Sequence, residues 1–248
     1  MKILLCPVLI FFCIASGFGQ DTVLIRGRSQ ELHLSGRKGA VPVILSSGDL
    51  GWAGLVVHVA EYLSAQGYYV IGFNTRSYLS SFTTKNSALA PQDVPADYSK
   101  LLDYVNQTSS ATPILAGISE GAGLSVLAGS KPEMKSRIRG ILALGLPDQN
   151  ELGWKWQDFT IWITKKTPHE PGFMVEDIIS AVSPLPLAEL HSTHDEFLPL
   201  DKAKAVFSLA GNPKRMWIIE ASNHRFSDNR SELDRCITEA LGWINSPK

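Results

Sequence analysis

The run Pro113-Ile114-Leu115-Ala116-Gly117-Ile118-Ser119-Glu120-Gly121-Ala122-Gly123-Leu124-Ser125-Val126-Leu127 decides the reading of this chain. Its first part is a short, continuous apolar strand. Its last part is a helix of small and apolar residues. Between them Gly117 to Gly121 spell G-x-S-x-G. Three fixed positions are a weak signal alone, and a glycine-rich turn with an incidental serine is the bland alternative. The strand–turn–helix context makes the signal strong. So tight a turn leaves no room for side chains beside the serine, hence the glycines. It also lifts the hydroxyl of Ser119 into the open at a helix N-terminus, where the helix dipole favours the oxyanion of acyl transfer.

Outward from that run the chain alternates strands and helices. Strands are expected at 22–28, 31–34, 41–45, 68–73, 138–144, 185–190 and 216–220. Helices are expected at 55–65, with Gly67 as C-cap, at 93–106 and at 120–128. Continuous apolar strands between amphipathic helices imply a mostly parallel, doubly wound sheet with helices on both faces. Residues 147–184 break the rhythm with prolines and aromatics (Trp154, Trp156, Phe159, Trp162, Phe173). They read equally as a small insertion over the sheet edge or as an edge strand with a long loop.

A serine nucleophile needs a base, and the base needs an orienting acid. Asp195 lies in the loop after strand 185–190, and His224 in the loop after strand 216–220. The order Ser, acid, His along such a sheet is that of the α/β-hydrolase fold. Glu196 is the runner-up acid. His191 and His194 compete weakly as bases, since they precede the last strand. His33, His58 and His169 read as surface or packing residues. The oxyanion hole is expected from the Glu120 N–H and from the loop after strand 41–45, with Asp49 as first choice and Leu50 as second.

Composition bounds the rest. The 248 residues suit one domain, 44% hydrophobic and 19% charged, with a formal net charge of −1 that offers nucleic acid no electrostatic attraction. Lys2, the apolar run Ile3–Ile14 and the small residues to Gly19 have the layout of a signal peptide, cleaved after Gly19. A membrane anchor and a lipidated Cys13 are the alternatives. Residues 20–248 then form the domain, in a periplasmic or secreted protein. Only Cys236 remains after cleavage; its helical apolar spacing places it in the core.

Four segments resemble the VirJ-type bacterial virulence-protein family, a branch of the α/β hydrolases. Ser47-Gly48-Asp49-Leu50-Gly51-Trp52 is similar to its S-G-D-G-G-W motif, and Gly67-Tyr68-Tyr69-Val70-Ile71-Gly72-Phe73 to its G-x-P-V-x-G strand. Arg76-Ser77-Tyr78 resembles its arginine–tyrosine pair. Gly117-Ile118-Ser119-Glu120-Gly121-Ala122 resembles its G-Y-S-F-G-A elbow. Ile118 and Glu120 replace aromatic residues, Leu50 replaces a glycine, and Asn223-His224-Arg225-Phe226 departs from G-H-H-F.

The resemblance implies an exported hydrolase of the aminoacyl ester of lysyl-phosphatidylglycerol, linked to virulence-related secretion. It needs no cofactor and no metal. Trp52 and Arg76 are candidate substrate residues, Arg76 toward a lipid phosphate or as a structural ion pair. If the side chains of Asp49 and Glu120 face the cleft, they make a negative rim suited to a cationic acyl group. Those carboxylates are then expected to point away from the oxyanion. Partners on this reading are a small-molecule or lipid ester, the membrane surface in peripheral contact, and other exported proteins. A carboxylesterase or peptidase of soluble substrates and a non-catalytic adaptor are the alternatives.

Overall fold

Five neighbouring strands are buried along their whole length, and the helices that cover them on both sides are the reason their sequences carry no polar alternation. The computed structural model of the chain describes residues 19–155 and 171–246. It opens with β1 (Gly19–Ile25) and β2 (Arg28–Ser35), then β3 (Pro42–Ser46), α1 (Leu55–Ala65), β4 (Tyr69–Phe73), α2 (Thr75–Phe82) and α3 (Asp93–Thr108). β5 (Ile114–Ile118), α4 (Glu120–Gly129), α5 (Pro132–Lys135) and β6 (Ile141–Leu144) follow. After them come β7 (Gln149–Glu151), β8 (Gly172–Met174), β9 (Leu187–Ser192), α6 (Leu200–Ser208), β10 (Lys214–Ile219) and α7 (Arg230–Asn245).

The main sheet has the order β1-β2-β4-β3-β5-β6-β9-β10. β1 pairs antiparallel with β2, and β2 with β4; every later pairing is parallel. Side-chain alternation along each strand divides the core in two. Val43, Leu45, Leu142 and Leu190 pack under α1 and α7, whose stripe includes Leu233, Ile237 and Leu241. Ile44, Ile71, Leu115 and Ala143 pack under α3 and α4, with Tyr98, Leu101 and Leu124. The doubly wound architecture is therefore as the sequence implies. Cys236 is buried in the first of these layers.

Several elements differ from expectation. α2 carries no apolar period in Thr75-Arg76-Ser77-Tyr78-Leu79-Ser80-Ser81-Phe82; it forms because the Asn74 side chain accepts the Ser77 N–H (3.1 Å) and Tyr78 and Leu79 are buried. The Tyr78 hydroxyl donates to Asp97 (2.7 Å), whose carboxylate also receives Nε–H of Arg26 (2.8 and 2.9 Å). That cluster ties the β1–β2 hairpin to α2 and α3. β6 starts at Ile141, three residues later than expected, after the short α5. Within 147–184, β7 and β8 pair as a two-stranded antiparallel ribbon followed by 3₁₀ turns at Val175–Asp177 and Ile179–Val182. Trp154 and Phe173 rest against the α3–α4 layer. Trp156, Phe159 and Trp162 lie outside the described residues, as does the expected signal segment up to residue 18.

Candidate active site

Ser119 joins β5 to α4 with φ 53° and ψ −121°. A non-glycine residue with positive φ costs on the order of 1–3 kcal/mol and persists only where its surroundings enforce it. Here they do. The Ser119 N–H donates to Leu144 O (2.9 Å), and Ser119 O accepts from the Ala122 N–H (2.8 Å). A Cβ on Gly117 would sit 2.1 Å from Gly121 O, and one on Gly121 would sit 2.4 Å from Ser47 O. Both glycines are thus demanded by close backbone approach. The Ser119 side chain makes no capping bond to its helix.

Parallel strands bring their C-terminal loops to one edge, so the loops after β5, β9 and β10 meet although 105 residues separate Ser119 from His224. His224 Nδ1–H donates to Asp195 Oδ2 at 2.5 Å. Asp195 Oδ1 accepts the N–H groups of Phe197 (2.9 Å) and Leu198 (3.0 Å). Burial pushes the Asp195 carboxyl upward, but His224 and these two N–H groups outweigh it and hold it below the usual carboxylate range. An anionic Asp195 keeps the proton on Nδ1 and leaves Nε2 its lone pair, the form a general base needs. Nε2 of His224 is buried and has no hydrogen-bond partner. His224 and Ser119 line the same cleft. No bond joins the two yet, as is common before substrate binds.

The competing residues take other positions. Glu196 Oε2 accepts the backbone N–H of His224 (2.7 Å), anchoring the loop rather than the ring. His191 is buried behind Asp195, its Nε2–H donating to Leu198 O (2.9 Å) and lying 3.8 Å from Asp195 Oδ2. Its Nδ1 is 3.4 Å from Oε1 of the buried Glu189. Burial opposes charge on His191, but Glu189 outweighs it and raises the imidazole; burial raises the Glu189 carboxyl. His194 bonds Thr193 and Ala221. His33 stacks on Trp52, His58 pairs with Asp234, and His169 lies outside the described residues.

Two residues of the site went unread in the sequence. Gly145 follows β6 with φ 58°, and a Cβ there would sit 2.4 Å from His224 Cε1. Phe197 presents its ring to that imidazole at 5.1 Å, nearly perpendicular. Gly145 had a signal, a glycine directly after an apolar strand; Phe197 had none.

The cleft has a volume of about 410 Å³. Gly48 brings the β3 loop against Ser119, a Cβ there falling 3.3 Å from Ser119 Cβ. Asp49, Glu120 and Asp148 line the cleft, with Arg225 opposite in sign. The expectation that the acidic side chains point away from the oxyanion position is corrected here. Glu120 Oε2 accepts the Asp49 N–H at 3.1 Å, so a carboxylate lies on the expected second donor. Burial, reinforced by the charge of Glu120, pushes the Asp49 carboxyl up to about 6.

Trp52 does not line this cleft. Its ring stacks on His33 at 4.4 Å and covers Gly72, where a Cβ would be 2.0 Å away. It borders an adjoining hollow of about 630 Å³, shared with Leu50, Asn74, Arg76, Trp154 and Lys155. The Arg76 guanidinium lies 4.5 Å over the Trp154 ring.

Residues 40–190 match the bacterial virulence protein family VirJ. The chain belongs to the VirJ family. That match takes in the β3 loop, the elbow and the first part of β9 and stops short of Asp195 and His224. Among curated proteins, the uncharacterized protein YfhR of Escherichia coli (strain K12) is 36% identical over 62 residues, covering 24% of this VirJ-family chain and only 22% of its own length. Among solved structures, Est1E from Butyrivibrio proteoclasticus superposes with a TM-score of 0.67 at 15% identity, covering 91% of this chain and 98% of that one. The naproxen esterase of Bacillus subtilis gives 0.69 at 10% identity, covering 91% and 92%. At such identities the likeness is one of fold, the α/β-hydrolase fold.

Proposed function

We propose that this VirJ-family protein is an exported serine hydrolase that cleaves a carboxylic ester through an acyl-enzyme, with Ser119 as nucleophile, His224 as base and Asp195 as its orienting acid. One observation carries the reading: an Asp195-bound His224 with an unpartnered Nε2 lines the same cleft as a strained Ser119. In the acylation step Ser119 Oγ attacks the ester carbonyl while Nε2 takes its proton. The N–H groups of Glu120 and Asp49 receive the oxyanion, and Nε2 returns the proton to the leaving alcohol. Water repeats the sequence to release the acid. Structures of the same fold that are named esterases support an ester as substrate.

The substrate within that class is an aminoacyl ester of a phospholipid headgroup, of the lysyl-phosphatidylglycerol type. Asp49, Glu120 and Asp148 supply negative charge for a cationic acyl group. Arg76 and Lys155, in the hollow beyond Leu50 and Gly51, suit the phosphate of the leaving headgroup. Exposed Leu50 (36%) and Phe197 (53%) at the cleft support peripheral contact with a membrane surface. A fluorophosphonate probe should label the protein and fail on Ser119→Ala; labelling that survives that change refutes the nucleophile. Lipid profiling of cells with and without the protein should show aminoacyl phosphatidylglycerol accumulating in its absence. An unchanged profile beside normal labelling would favour soluble esters.

A further inference from the structure

We propose that Glu120 is a specificity-determining residue that reads a free ammonium group on the carbon next to the scissile carbonyl. The inference rests on the serine-hydrolase reading above and adds what selects the acyl group. Glu120 Oε2 holds the Asp49 N–H at 3.1 Å, which is the donor an oxyanion would need. Gly48 keeps the same carboxylate close to the nucleophile: its Cβ position is 3.3 Å from Ser119 Cβ and 3.6 Å from Glu120 Oε2. His224 Nε2 stands in the same cleft, buried and unpartnered. A carbonyl oxygen can use this hole only after the carboxylate has moved off or gained a counter-charge, because the developing oxyanion and the carboxylate repel on one N–H.

An α-aminoacyl ester supplies that counter-charge at the right distance. Its carbonyl oxygen and α-nitrogen are joined through two carbons and lie roughly 3 Å apart, by ordinary bond lengths. That spacing matches the N–H to carboxylate contact already present. The carbonyl oxygen takes over the Asp49 N–H while the ammonium takes over Glu120 Oε2, and one exchange both opens the hole and fills the charge site. An acyl group with its α-amine blocked or missing leaves the carboxylate on the donor. The side chain of the aminoacyl group is not read by Glu120, so alanyl and lysyl esters share this requirement.

The test compares alanine methyl ester with N-acetylalanine methyl ester on the purified full chain, following acid release. Wild type should favour the free amine by about 30-fold or more in kcat/KM, within the range expected when a polar group in the site loses its partner. Glu120→Gln should bring that ratio below about 3-fold by lowering turnover of the free amine more than that of the acetylated ester. Glu120→Asp should fall between. Fluorophosphonate labelling of Ser119 in each variant verifies that the site is intact. A wild-type ratio near one, or a ratio that persists in Glu120→Gln while Ser119 still labels, overturns this inference and leaves the hydrolase standing. Absence of any Ser119-dependent labelling or turnover removes the hydrolase reading, and this inference with it.

Discussion

Gly145 lies against the imidazole of His224, close enough that a single methyl group on it would come within 2.4 Å of Cε1 and 2.9 Å of Nδ1. The His224 ring is thus placed from three sides. Asp195 holds Nδ1, Phe197 presents its ring, and the bare backbone of Gly145 closes the third side.

Gly145→Ala should therefore displace the ring rather than merely strain the loop. The expected loss in kcat/KM is about 100-fold, the scale of a misplacement near 1 Å. Positive φ at this position adds a destabilisation of about 1 kcal/mol. Ester hydrolysis and thermal unfolding measured side by side check both, and full activity in the variant would show that the ring has slack.

Asp195→Asn should lower kcat by about 10⁴-fold, because an amide no longer enforces the Nδ1–H tautomer. The change has a pH signature as well. The Asp195 carboxyl is held below its ordinary range in the fold, so it contributes stability above its unfolded pKa and loses it as pH falls through the folded value. The difference in Tm between wild type and Asp195→Asn should shrink between pH 7 and pH 3. A constant difference would mean that the carboxylate adds no charge-dependent stability.

Asp49 has the opposite sign. Its carboxyl is raised to about 6, so the fold favours the protonated form. Stability from this group is complete below its ordinary value near 3.8 and is lost as pH rises through about 6. Asp49→Asn should consequently be more stable than wild type at pH 8 by about 1–2 kcal/mol, after allowance for solvent screening, and by little at pH 4. Urea unfolding at the two pH values measures it; equal gaps at both would contradict the shift.

The buried Glu189–His191 pair behind Asp195 makes a further prediction. Removing His191 alone, as His191→Leu, strands a carboxyl that is 1% exposed and should cost about 3–5 kcal/mol. The double change Glu189→Leu with His191→Leu should cost less than that single one, since neither member of the pair is then left buried without its partner. Chemical denaturation of the four proteins tests the coupling, and additive losses would show that the two side chains do not share a proton.

Much of this architecture was legible because local patterns carry it. The apolar runs that form β3, β4, β5, β6 and β9 need no partner to be recognised, α1 and α3 announce themselves by spacing, and α4 by the G-x-S-x-G turn that opens it. α2 was invisible for the converse reason: an Asn74 cap and a buried Tyr78–Asp97 contact hold it, and neither leaves a periodic trace. Asp195 and His224 are legible as a pair from their places after successive strands, and the fold brings them into hydrogen-bond contact. The supports of the His224 ring are not legible in this way, since Gly145 touches His224 across 79 residues of chain.

The sequence by itself determined the strand–turn–helix at Ser119 and the doubly wound order, and it singled out Ser119, Asp195 and His224 as candidates for acyl transfer. These follow from steric and periodic rules that act over a few residues. Only the tertiary structure decided where the charges go. It put Glu196 on the backbone of His224, His191 against Glu189, and Glu120 on the N–H of Asp49. A carboxylate takes the nearest donor in space, and which donor that is depends on how distant loops meet at the edge of the sheet.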